Sequence, residues 1–338
     1  MALLSAVGGD CAGAVQFLPC GSEAPEPFVR ELTAEQVTKM VNDLPTYSIP
    51  GGGMPQASLA GIEDKLLLTD CGDGRWGLPE NGAASTHIIK PEPQQSAIPD
   101  LIDAEHWALR VAAAAGLAAS QSRIGQFGTR KAIILTRYDR DHMGARIHQE
   151  DFCQSLGLSP LGKYETTQEA RSRGSRLSRV VALAAAQAAG DPTELRESPL
   201  AQVTFNIIMG NGDAHSKNYS FLIGRRGEVA LAPLYDSAPV MFAAERFNGA
   251  GHVINDRTAI TEVTIDDLVA EAGAWGTPRT LAQRAVEATI EGTRSAIEQT
   301  PEPPVLRRVR ANLDAFWVRK LWTMPSASTH RSPSDTGA

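Results

Sequence analysis

The sequence predicts an α+β protein of two lobes, with a mixed N-terminal lobe over residues 46–140 and a mainly helical C-terminal lobe over residues 141–323. Three observations predict it. Residues 46–140 alternate short apolar strands with one strong helix. The chain after Asp236 is dominated by capped helical starts. A length of 338 residues is enough for two separate cores.

Residues 1–45 form a lead-in in which residues 33–42 read as a helix capped by Thr33. A loop of small residues follows, holding Gln56, Ser58, Ala60 and Gly61, with Gly51, Gly52 and Gly53 just before it. Small residues ahead of a strand, here residues 66–70, let backbone N–H groups approach an anion. Residues 86–91 are a short strand that Pro91 ends, which leaves Lys90 at the strand terminus. Residues 103–116 are an Ala-rich helix with Asp103 as cap and Gly116 as stop, and Glu105 in its first turn is placed to pair with Lys90. Residues 132–140 begin as a buried strand and run on as a connection between the lobes. Residues 148–152 begin a helix, and residues 200–209 are an apolar helix that ends at Gly210. Residues 264–272 and 277–284 carry start signals, Thr264 and Pro278 among them. Residues 305–321 show an apolar stripe of Val305, Val309, Leu313, Phe316 and Trp317, which is a core pattern. The Ser/Pro/Thr-rich residues 324–338 are expected to be disordered.

The stretch Asp213-Ala-His-Ser-Lys-Asn218 carries the chemistry. An Asp and an Asn stand at the two ends of one short loop, directly before an apolar hairpin whose second strand runs into Asp236. If residues 225–228 form the turn, Asn218 falls opposite Leu234 or Tyr235, and Asp236 lies within roughly 7–8 Å of it. One Mg²⁺ can bridge such a pair while keeping waters and phosphate oxygens. Asp213, just outside the hairpin, is placed to accept a hydroxyl proton. Protein kinases show the same Asp-x-x-x-x-Asn spacing with a later metal-binding Asp. In that frame Lys90 is the phosphate cation, backbone groups near Thr136 to Tyr138 meet an adenine edge, and Tyr138 flanks the ring. His215 has a structural role, bonding the loop backbone.

These residues resemble the HipA family of bacterial toxin-type serine/threonine kinases. The matching pieces are residues 58–65, 87–91, 137–140, 147–153, 210–218 and 234–239, in family order. The resemblance implies a bilobal, kinase-like fold that phosphorylates protein serine with ATP and Mg²⁺. It implies Asp213 as catalytic base, Asn218 and Asp236 as metal ligands, Lys90 as the phosphate lysine, and Ser58 as a loop serine that becomes autophosphorylated. Phosphate on Ser58 would add nearly two negative charges beside the nucleotide and expel the loop. Implied partners are a protein target such as an aminoacyl-tRNA synthetase, and a helix-turn-helix antitoxin that also binds operator DNA. Glu63 stands where family loops commonly carry Gln, and Thr136 where Glu is frequent. Residues 1–20 resemble the junction after the family's usual N-terminal subdomain, so a truncated gene or a misplaced start is expected, with a separately encoded subdomain as the alternative.

A net charge of −7 argues against a generally nucleic-acid-binding surface. Arg171, Arg173, Arg176 and Arg179 form a local basic patch, read as a solvated loop with a frayed helix start, and as a site for an acidic segment or a phosphate if it is functional. Four cysteines without a C-x-x-C pair, and seven scattered histidines, give no zinc spacing and suit reduced thiols in the cytoplasm. No basic region precedes the apolar residues 2–18, and the Ala-rich residues 180–190 are too short to span a membrane. Two other functions fit the same residues: a small-molecule or lipid kinase, and an inactive module that binds antitoxin or DNA.

Overall fold

The computed structural model describes residues 8–17, 20–21, 26–44, 64–94, 100–187, 193–242, 247–300, 309 and 311–316. The first lobe is built on β1 (Phe28–Leu32), α1 (Ala34–Asp43), β2 (Leu66–Asp70), β3 (Trp76–Glu80), β4 (His87–Pro91), α2 (Leu101–Ala114), β5 (Ser122–Phe127) and β6 (Arg130–Thr136). Six strands form one sheet in the order β1-β3-β2-β4-β6-β5, and every pairing is antiparallel. Thr33 caps α1 in a capping box with Gln36, the cap expected from sequence.

The alternation of side chains along β4 and β6 places the site. Ile89, Ala132 and Ile134 join a core with Val37, Met40 and Val41 of α1. Ile133 and Leu135, one step out of phase, join the larger core with Trp107 and Val111 of α2. Ile88 packs against that larger core too. Lys90, in phase with Ile88, therefore points to the α2 side.

The second lobe holds β7 (His148–Asp151), α3 (Phe152–Ser155), α4 (Thr167–Arg173), α5 (Arg176–Gln187), α6 (Glu194–Met209), β8 (Ser220–Ile223), β9 (Val229–Leu231), β10 (Gly249–Ile254), β11 (Arg257–Ala259), α7 (Ile265–Ala274) and α8 (Arg279–Gln299). Strands β7, β8 and β9 form a small sheet, and β10 pairs β11. Helices α6, α7 and α8 pack on one another, and α2 also meets α8. Val309, Leu313 and Phe316 of the expected C-terminal stripe are buried in the larger core, while Val305 and Trp317 lie outside the described residues. The tail 324–338 lies outside them as well.

Several expectations need correction. Residues 148–151 are a strand, because their pairing with β8 (Gln149 opposite Leu222) outweighs local helical preference. The helix begins only at Phe152, where Asp151 and Gln154 make a capping box. The N-cap of α2 is Asp100, in the left-handed region at φ 53°, and Asp103 sits in the first turn paired with Lys131. Helix α6 starts at Glu194 and accommodates Pro199. The β10–β11 hairpin was not anticipated, since Gly249 and Gly251 interrupt its apolar pattern. The basic patch is ordered into α4 and α5, and its arginines are largely spoken for. Arg176, only 3% exposed, pairs with Glu169 at 2.5 Å and donates to Gly162 O and Ser216 Oγ; Arg179 also reaches Glu169, and Arg171 reaches Asp256.

Candidate active site

Gly210 ends α6 in the left-handed conformation at φ 69°, and its N–H returns to the carbonyls of Asn206 and Ile207. The chain then turns tightly through residues 211–218, with the N–H of His215 donating to Asp213 O and that of Asn218 to His215 O. Two glycines set the height of this loop. A Cβ at Gly212 would stand 1.5 Å from Phe247 O, and one at Gly251 (φ 76°) would stand 2.2 Å from Ala214 O. Only glycine lets the two backbones approach this closely.

A buried amide and hydroxyl cluster joins the loop to Asp236. Asn206 Oδ1 accepts from Asn211 Nδ2 at 3.0 Å and from Ser237 Oγ at 2.9 Å, and its Nδ2 donates to Tyr219 OH at 2.8 Å. Asn211 Nδ2 also lies 3.4 Å from Asp236 O. Tyr235 OH donates to Lys217 O at 2.8 Å. The segment after β9 is thus tied to residues 211–217 on both sides of Asp236. Extending the β8–β9 register of Phe221 opposite Leu231 brings Asn218 level with Leu234, one of the two positions expected. Asp236 itself is left-handed at φ 54°, a region that short polar side chains tolerate best.

Lys90 bridges the lobes. Its Nζ lies 2.6 Å from Asp236 Oδ1, and 3.0 and 3.3 Å from the two oxygens of Glu105. The Lys90 and Glu105 side chains are 9% and 4% exposed, so the pair is desolvated and each charge depends on the other. Burial alone would raise the Asp236 pKa, but Lys90 foremost, with Lys65 and His215, holds it below the usual carboxylate value.

Asp213 is more open. Its Oδ1 accepts a hydrogen bond from Tyr164 OH and stands 3.8 Å from His215 Nε2. Asn218 Nδ2 donates to the Asp213 carbonyl at 2.9 Å, which leaves its amide oxygen for another ligand. His215 Nδ1 accepts from Lys217 N–H at 3.3 Å, the contact to loop backbone expected for it, and Nε2 lies 2.7 Å from Lys163 Nζ. Burial lowers the His215 pKa despite the nearby Asp213.

Not every candidate residue comes to this point. Ser58, Ala60 and Gly61 lie outside the described residues. The N–H of Thr136 donates to Gln121 O and that of Arg137 to Thr86 O, so two donors expected to meet an adenine edge are already used. Tyr138 donates its hydroxyl to Gln149 Oε1 and packs its ring on Tyr235, with centroids 5.2 Å apart.

Two groups escaped the sequence reading. The first is the Asn206–Asn211–Ser237 cluster, whose signal was a polar Asn206 inside an otherwise apolar helix end. The second is a buried ion cluster at the junction of the lobes. Asp10 accepts from Ser85 N–H (2.9 Å) and Oγ (2.6 Å), and from Arg140 at 2.7 Å, Arg146 at 3.1 Å and Arg137 at 3.4 Å. Asp139 pairs with Arg137 at 2.8 Å and accepts from Gly13 N–H at 2.7 Å. Burial works to raise both aspartate pKa values, yet the guanidinium groups, Arg137 first, hold them below the ordinary range. Residues 8–17 are thereby fastened across residues 137–140.

The family model for the HipA-like C-terminal domain matches residues 57–300. The chain belongs to that family. Among its HipA-like relatives, the chain is 31% identical to the putative kinase Y4mE of Sinorhizobium fredii, over 89% of this chain and 72% of that one. It is likewise 31% identical to the serine/threonine-protein kinase toxin HipA of Shewanella oneidensis, over 83% of this chain and 66% of the relative. In structure it is similar to the HipA chain solved in the Shewanella oneidensis toxin–antitoxin complex of HipA, HipB and operator DNA. The TM-score there is 0.75 at 28% identity, covering 95% of this chain and 78% of that one. The HipA-like fold is kinase-like, with the sheet-rich lobe and the mainly helical lobe described above. Among the described residues, no helix is long and apolar enough to cross a membrane.

Proposed function

We propose that the chain is an ATP- and Mg²⁺-dependent serine/threonine protein kinase, the toxin of a toxin–antitoxin pair, acting in the cytoplasm. The observation that carries this reading is the convergence of Lys90, Glu105 and Asp236 from three separate elements, next to a loop that presents Asp213 and Asn218. Phosphoryl transfer needs alignment and charge neutralisation more than covalent help, and this site offers both.

The donors fit the metal. Asp236 supplies a carboxylate kept ionised by its surroundings, and Asn218 an amide oxygen, both hard donors of the kind Mg²⁺ selects. When bound there, Mg²⁺ supplies positive charge against the phosphate oxygens. Lys90, held by Glu105, binds phosphate in exchange for its present contact with Asp236. Asp213 orients the acceptor hydroxyl and takes its proton. Ser58 is proposed as the autophosphorylated residue. The tie between loop and metal ligands runs through Asn206, Asn211 and Ser237, which fix positions without touching substrate. A helix-turn-helix antitoxin, and operator DNA through it, are proposed as partners in line with the complex in which the Shewanella relative was solved. The target is proposed to be a translation-related protein such as an aminoacyl-tRNA synthetase.

Incubation with radiolabelled ATP, Mg²⁺ and whole lysate tests the reading. A labelled protein band is expected, and Asp213→Asn or Asp236→Asn should reduce labelling by about 10³-fold, with the far-ultraviolet circular dichroism unchanged. Undiminished labelling in either variant refutes the assignment.

A further inference from the structure

One oxygen of the carboxylate proposed to meet the acceptor hydroxyl is held by the protein itself: Tyr164 OH donates to Asp213 Oδ1. The backbone on either side of Tyr164 is clamped. Ser216 N–H donates to Lys163 O at 3.1 Å, and Glu165 N–H donates to Gly251 O at 3.2 Å. The Glu165 carboxylate, with a side chain 0% exposed, accepts from the N–H groups of Arg176 at 2.7 Å and Val253 at 2.9 Å. The Lys163 ammonium meets His215, and the Tyr164 ring stands edge-on to the His215 ring at 5.2 Å. Between these anchors the tyrosine is 44% exposed, so its ring can leave Asp213 by a side-chain rotation that keeps the backbone hydrogen bonds on either side and gives up only the ring contacts with His215 and Lys163. Burial and the Asp213 carboxylate both push the phenol pKa upward, so it stays a protonated donor.

We propose that Tyr164 is an internal competitor for the acceptor hydroxyl, so that an incoming hydroxyl engages Asp213 only by displacing the phenol. The exchange trades one hydroxyl–carboxylate hydrogen bond for another and is nearly balanced in itself. An acceptor that brings further contacts tips it, whereas water brings none and is held off. Tyr164 thereby selects protein hydroxyls over water. This rests on the role proposed above for Asp213, and deepens it by naming what controls access to that carboxylate.

The test uses the full chain and water as the acceptor, read as Mg²⁺-dependent release of inorganic phosphate from ATP. Tyr164→Phe keeps the ring and its contact with His215 but removes the competing hydroxyl. Its turnover number for hydrolysis should rise about three- to tenfold, with KM for ATP unchanged. A structural defect would lower turnover or shift KM instead. Tyr164→Leu, which removes the ring as well, should show the same direction, and serves if the first variant melts early. Hydrolysis that is unchanged or lower in both variants overturns the proposal. The separate control is Asp213→Asn. Hydrolysis that survives it removes Asp213 as base and with it the functional reading, whereas hydrolysis that needs Asp213 but gains nothing from Tyr164→Phe sinks this inference alone.

Discussion

Replacing Asp10 by Ala removes a carboxylate shared by Arg137, Arg140 and Arg146. Asp10 is 2% exposed, and each of its oxygens carries at least one charged partner. The variant leaves Arg137 and Arg140 buried beside each other with Asp139 as counter-charge; it takes the acceptor from the Ser85 N–H, while Ser85 Oγ keeps the Arg137 guanidinium at 2.9 Å. Breaking a buried pair in this way costs about 3–5 kcal/mol. With a melting entropy of about 2.1 cal/mol/K per residue, the whole chain loses stability equivalent to about 4–7 °C in Tm. Thermal unfolding followed by circular dichroism at pH 7 reads the shift. The pH dependence gives a second readout. The folded pKa of Asp10 lies below its unfolded value of 3.8, so the native state binds fewer protons. Its stabilisation is complete above that unfolded value and disappears as pH falls through the folded pKa. The gap between wild type and Asp10→Ala should therefore be constant near neutrality and close in strong acid. A Tm change below about 1 °C at pH 7 would show that the arginines find other counter-charges, and would refute the reasoning.

Gly212→Ala must move backbone, since the new Cβ meets Phe247 O, whereas at Gly227 (φ 83°) nothing stands within 4 Å. The first substitution should cost about 3 kcal/mol or more and the second about 1 kcal/mol, compared by urea unfolding. His252 is 2% exposed, packs edge-on to Tyr219, and finds no hydrogen-bond partner for either ring nitrogen among the described residues. Burial lowers its pKa from 6.5 to about 3. A folded pKa below the unfolded one means stability present above the unfolded value and lost as pH falls between the two. His252→Leu should remove that loss and move the acid-unfolding midpoint downward. An unmoved midpoint would contradict the buried, neutral assignment.

Local chemistry made much of this legible. Thr33, Thr264 and Gly210 announced helix ends that stand where they were read. The Lys90–Glu105 contact followed from a strand that ends at Pro91 and a helix after it, although the helix starts at Leu101 and so carries Glu105 past the first turn expected for it. What escaped depends on distance along the chain. Tyr164 reaches Asp213, and Asp10 reaches Arg137 and Arg140, across separations that carry no spacing signal. The strand at residues 148–151 escaped because four polar residues have no apolar period and acquire their conformation from β8. The Arg176 side chain was misread because charge counts along a sequence say nothing of Glu169, on the preceding helix, coming round the Gly174 turn to meet it.

The backbone at Asp236 narrows what this position can become. In the left-handed region a side chain close to the main chain is tolerated, and Asp, Asn and Gly adopt it most easily. Glutamate would keep the charge, yet its added methylene carries the carboxylate away from Lys90 and its backbone preference opposes the turn. Asparagine would suit the turn but surrender the charge. Both demands, one conformational and one electrostatic, are met together by aspartate, so drift at this residue has almost nowhere to go that preserves the bridge between the lobes.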